Sequence, residues 1–156
     1  MNLNYGEISA QAQDWLDAGN QATIETICEE RGEVSGLNSS GSESFSFENL
    51  REAREKLAEM EGPFYSLDGD WGTIDIDGEI EAMPGFSELD GASRKMILSS
   101  AQAYAVMCAK ATQIEWDIKE VKDWIDEAEE KINTLYREIN DRKAELNRLF
   151  GRVVEA

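Results

Sequence analysis

The sequence predicts a mainly α fold with a small antiparallel β-hairpin, short N-terminal helices and a long C-terminal coiled-coil helix. Three observations lead there. From Ile118 to Phe150 there is no Gly and no Pro, and an apolar residue returns every three or four positions, the spacing of one helix face. From Thr73 to Met83 the period drops to two around Asp77-Gly78, the pattern of strand, tight turn and strand. In the first half, short amphipathic runs stop at Gly19, Gly32 and Gly62, as short helices do.

Gly6 to Ala18 reads as the first helix, with Ile8, Ala12, Trp15 and Leu16 at helical spacing. Asn20 is placed to cap a second helix that carries Ile24, Ile27 and Cys28 and closes at Gly32. The Gly/Ser-rich GEVSGLNSSGSES then reads as a linker over about residues 33–45. Ser46 is a suitable N-cap for the next helix, with Phe45 and Leu50 placed as a hydrophobic staple. Leu50, Ala53, Leu57 and Met60 form its apolar face, and Gly62-Pro63 stops it.

In the hairpin, a three-residue loop Asp77-Gly78-Glu79 pairs Ile76 with Ile80 and keeps both on the inner face. A two-residue turn would send Ile80 to solvent, because a slip of one residue reverses every side chain. The expected inner face is Ile74, Ile76, Ile80 and Ala82. Asp75 and Glu81 point outward, with Asp77 and Glu79 at the tip.

Ser87 or Asp90 opens the last helix. Heptad position a falls on Ile118, Ile125, Ile132, Ile139, Leu146 and Val153, and position d on Val121, Ala128, Leu135, Arg142 and Leu149. Such a run predicts a coiled coil and a homodimer, with self-association through Ile118, Val121, Ile125, Ala128, Ile132, Leu135, Ile139, Leu146 and Leu149. In a parallel pair, Asp117–Lys122 and Glu138–Lys143 are opposite charges across the seam, and Arg142 is a polar interruption. Trp116, Trp124, Tyr136 and Phe150 lie off the seam, so other parts of the protein are expected to cover some of this helix. Met96 to Ile114 carries one charge, Lys110, so the N-terminal part is expected to enclose it. The expected division is an acidic α/β region over 1–87 and a coiled-coil region over 88–156.

Charge points to function. The chain has 33 acidic and 15 basic residues and a net charge of -18. Residues 1–87 hold 19 acidic against 4 basic, a net of -15, whereas 88–156 hold 14 against 11, a net of -3. Phosphates would be repelled, so no direct nucleic-acid contact is expected; a basic protein surface would be attracted. The absence of His removes His-based triads, His general bases and nearly all common zinc sites. No enzyme activity, metal or cofactor is therefore expected. An EF-hand loop with Gly78 at its sixth position would place Pro84 where the bidentate Glu is required. A catalytic carboxylate pair is the weakest reading, because acids are close together here by abundance alone.

The start MNLNYGEIS shows no basic and apolar leader pattern, and no stretch reads as membrane-spanning. Two distant cysteines, Cys28 and Cys108, fit a reducing compartment, so the expected location is cytoplasmic. Asp68, Asp70, Asp75, Asp77, Glu79 and Glu81 form the candidate partner-binding face. On a strand, alternate carboxylates stand about 6.6 Å apart and can occupy Lys/Arg pockets built for a phosphate backbone. In size, acidity and lack of catalytic residues the chain resembles small phage-encoded inhibitors of restriction or CRISPR nucleases. The function expected on that basis is a non-enzymatic inhibitor that mimics nucleic-acid phosphates and blocks a basic site on a nucleic-acid enzyme. The alternative is a coiled-coil assembly, scaffold or virion protein whose acidity is solvation.

Overall fold

A computed structural model describes residues 5–39, 45–67 and 71–155, with side chains through residue 151. Five α-helices account for most of it: α1 (Ala10–Trp15), α2 (Gln21–Ser39), α3 (Leu50–Glu61), α4 (Asp77–Glu81) and α5 (Gly91–Glu155). The chain forms two compact units: Met1–Ser44 with Ser66–Asp117, and Phe45–Tyr65 with Ile118–Ala156.

In the first unit, Ser9 caps α1 by accepting from the Ala12 amide at 3.1 Å. The chain then passes through a π-type turn, Leu16–Asn20, in which Gly19 takes φ 102°. That conformation is open to glycine and strained for other residues, so α1 stops there and α2 starts at once. Asn20 donates through its side chain to the Trp15 carbonyl at 2.7 Å, satisfying one of the last acceptors of the first helix.

Helix α2 does not close at Gly32. It continues through Gly36 to Ser39, across much of what reads in sequence as linker. Its buried residues are Ile24, Cys28, Gly32 and Gly36, four residues apart along one face. Opposite lie Ala101, Ala105 and Ala109 of α5, all fully buried. The contacts advance together: the Cys28 thiol donates to the Ala101 carbonyl at 3.4 Å, Gly32 faces Ala105 and Cys108, and Gly36 faces Ala109 and Thr112. The two helices therefore run parallel here, with small residues letting their backbones approach closely.

No strand occurs among the described residues, so the predicted antiparallel hairpin is absent. Residues 71–76 follow a non-helical path, and the Ile74 backbone finds its partners on a side chain. The Gln102 amide donates to the Ile74 carbonyl at 2.6 Å and accepts from the Ile74 amide at 3.1 Å. One Gln thus replaces one step of a strand ladder. Past Ile76 the chain enters α4, and the Ile80 amide donates to the Ile76 carbonyl at 3.1 Å. Ile74, Ile76 and Ile80 are all buried, as the alternation predicts. The first pair is two apart on the non-helical stretch, and the second is four apart on a helical turn. Ala82, expected inside, is exposed.

The core of this unit gathers Leu16, Ile24, Ile76, Ile80, Phe86 and Ile97 among others. Asp90, one of the two predicted starts of α5, accepts from the Ser93 amide at 3.0 Å. Ser93 in turn accepts from the Ser9 amide at 2.9 Å, which ties the first turns of α1 and α5. Hydrogen bonds from Ser9 and Ser93 hold the Asp90 carboxyl below the usual carboxylate range. A lowered value means the charged form favours the folded state, so this support is present at neutral pH and is lost as pH falls through the lowered pKa.

In the second unit, α3 packs on α5 around Ala53, Met60, Val121 and Ile125, with Phe47, Leu50, Leu57 and Trp124 partly buried against them. Asn49, not Ser46, caps α3: its side chain accepts from the Glu52 amide at 3.0 Å, and Glu52 accepts from the Glu48 amide at 3.0 Å. Phe45 and Leu50 both join this cluster. Arg54–Glu129 at 2.8 Å and Lys122–Glu61 at 3.0 Å link α3 to α5 at the surface.

Candidate functional site

The heptad positions of α5 divide in two. Val121 and Ile125 are buried and Ile118 is partly buried, all against α3. Ala128 is half-buried, and every residue from 131 to 150 is exposed. Along that open stretch Ile132, Leu135, Ile139, Leu146 and Leu149 remain between 38% and 56% accessible. Tyr136 and Phe150, just off the seam, are 62% and 67% accessible. Isolated exposed apolar residues are ordinary, but these recur at heptad spacing along one face of α5. Arg142, exposed, interrupts the stripe near its middle.

At its N-terminal end the stripe runs into a groove of about 820 Å³ between the start of α3 and α5. Leu50, Trp124, Glu127, Ala128, Lys131 and Ile132 line it. The Trp124 ring meets Phe47 edge-on at 5.2 Å, which holds its position. The heptad pattern identifies Ile132 but not the groove, because the groove needs α3 beside it.

The acidic candidates lie in the first unit. Asp75 is on a bend, Asp77 and Glu79 are in the first turn of α4, and Glu81 ends that helix; all four are exposed. Asp68 and Asp70 lie outside the described residues. Glu79 forms a two-pronged pair with Arg31 of α2, at 2.8 and 3.3 Å. That hydrogen bonding lowers the Glu79 pKa and raises that of Arg31, with Asp75 and Glu30 also favouring the charged guanidinium. Asp77 accepts from Gln102 at 3.2 Å. The carboxylates therefore crowd around one helical turn and the Arg31 face of α2, not along a strand.

Among the described residues no group of three or more His, Cys, Asp or Glu is placed to hold a metal. Burial, with Cys108 and nearby carboxylates, pushes the Cys28 thiol up to about 12, and burial raises Cys108 as well. Thiols so shifted are poor nucleophiles at neutral pH. The Tyr104 hydroxyl donates to Glu29 at 2.8 Å, a bond that raises its pKa. Among the described residues no helix is long and apolar enough to cross a membrane. No family model matches the chain, and neither a curated protein nor a solved structure matches it.

Proposed function

We propose that the protein is a non-enzymatic assembly protein in which two copies associate through the open stretch of α5. The observation that carries this reading is the stripe Ile132, Leu135, Ile139, Leu146 and Leu149, about half exposed along a stretch of α5 that no described residue of its own unit covers. Completing the burial of each side chain contributes roughly 1 kcal/mol, half the value for full burial. Over two copies that is about 10 kcal/mol, against a cost of at least about 4 kcal/mol for lost freedom. The net is about 6 kcal/mol at most, so association at tens of micromolar is the tightest expected. Light scattering over the micromolar range will show the mass rising from monomer to dimer; a monomer mass throughout overturns the reading.

A second reading, an acidic binder of a basic protein site, is favoured by one observation. Asp75, Asp77, Glu79 and Glu81 are exposed on the unit that carries most of the negative charge, beside Glu30 of α2. Without a strand there is no regular row of carboxylates, so mimicry of a phosphate backbone now rests on charge density alone. Changing these four acids to Asn or Gln will remove partners captured from the native host at low salt, because charge-driven binding weakens with screening. Unchanged capture by the neutral variant would leave the acidity as solvation.

A further inference from the structure

We infer that the two copies pair antiparallel over residues 132–149, with Ile132 of each opposite Leu149 of the other. The inference rests on the self-association proposed above and specifies the geometry of that site. It follows from which seam positions remain open. Ile118, Val121 and Ile125 are already covered by α3, so they cannot extend a seam between copies. Lys122 is engaged by Glu61 at 3.0 Å, so the Asp117–Lys122 contact that would favour parallel chains loses its cation. What remains is Ile132, Leu135, Ile139, Arg142, Leu146 and Leu149.

In a parallel pair each of these meets its own counterpart. Arg142 then faces the partner's Arg142 across the middle of an apolar strip. Arginine stays charged, and two like charges with no counter-charge are costly to remove from water. The favourable term on that side is Glu138 with the partner's Lys143, an exposed pair of the kind that contributes little.

Running the chains in opposite directions pairs a with d positions throughout. Ile132 lies opposite the partner's Leu149, Leu135 opposite the partner's Leu146, and Ile139 opposite the partner's Arg142. Every apolar residue of the open stretch gains an apolar neighbour or the aliphatic stem of Arg142, which can pack while its head stays wet. Glu138 precedes Ile139, so the partner's Arg142 finds a carboxylate at the edge of its layer. Twofold symmetry repeats the contact.

The test uses the full chain. Ile132→Cys and Leu149→Cys variants are mixed, oxidised mildly and resolved without reductant, with the wild type alongside to show any background from Cys28 and Cys108. A disulfide joining the two different variants, with little in either alone, is the expected result. Disulfides within each variant alone would mean parallel chains, overturning the geometry while self-association stands. A monomer in light scattering would overturn both. Where seam cysteines weaken pairing, spin labels at Asn133→Cys, off the seam, decide the matter. Antiparallel chains offset the two labels along the axis by about 20 Å, whereas parallel chains hold them side by side.

Discussion

Replacing Gly36 with alanine will lower the stability of the chain by roughly 2 kcal/mol, the middle of the range for an overpacked core. Helix propensity predicts the opposite sign, because alanine is better than glycine inside a helix by about 1 kcal/mol. Packing decides the outcome. A Cβ at Gly36 would collide with the Ala109 carbonyl and approach Thr112 Cβ to 2.7 Å. At Gly32 it would lie 2.6 Å from both the Ala105 carbonyl and Cys108 Cβ. Backbone atoms are among the obstacles at each site, so no rotamer change relieves the contact and α2 must move off α5. The separation would also open the Ile24 and Cys28 layer behind it. Gly78→Ala is the control: nothing lies within 4 Å of its Cβ, and its effect will be near zero or slightly stabilising. Urea unfolding followed by circular dichroism measures all three. A midpoint for Gly36→Ala at or above wild type would mean the two helices do not approach as described.

Val121→Asp and Leu146→Asp, both on the same heptad seam, will behave in different ways. Val121 is fully buried in the α3–α5 cluster with Ala53, Met60 and Ile125. An uncompensated charge in such a place costs about 3–5 kcal/mol, enough to unfold a unit of this size or detach α3. Leu146 is 53% exposed. Its replacement will change dilute unfolding by about 0.5 kcal/mol or less, as for surface positions generally, yet it will abolish dimerisation by placing charge in the pairing stripe. Thermal melts at low concentration and light scattering at high concentration separate the two effects. If Val121→Asp melts like wild type, α3 does not cover that stretch. If Leu146→Asp still dimerises, the open stripe is not the contact.

The long helix, the helix ending at Gly62, Asp90 as one of two candidate caps and the burial of Ile74, Ile76 and Ile80 were legible in the sequence. Each rests on local periodicity or on a side chain bonding to its own neighbourhood, and such signals survive without knowing the fold. Three other features were decided in space. Alternation at 74 and 76 suits a strand, but the Ile74 backbone is satisfied by Gln102, a side chain 28 positions away. With that partner in place, a helical turn from Ile76 to Ile80 keeps both isoleucines inside. Gly32 and Gly36 carry the local signature of a stop, yet facing Ala105 and Ala109 they are the residues that allow two helices to meet. The heptads give Ile125 and Ile139 the same rank. Only the position of α3 makes one a core residue and leaves the other open to solvent, because burial depends on what lies across from a face and periodicity records only that the face exists.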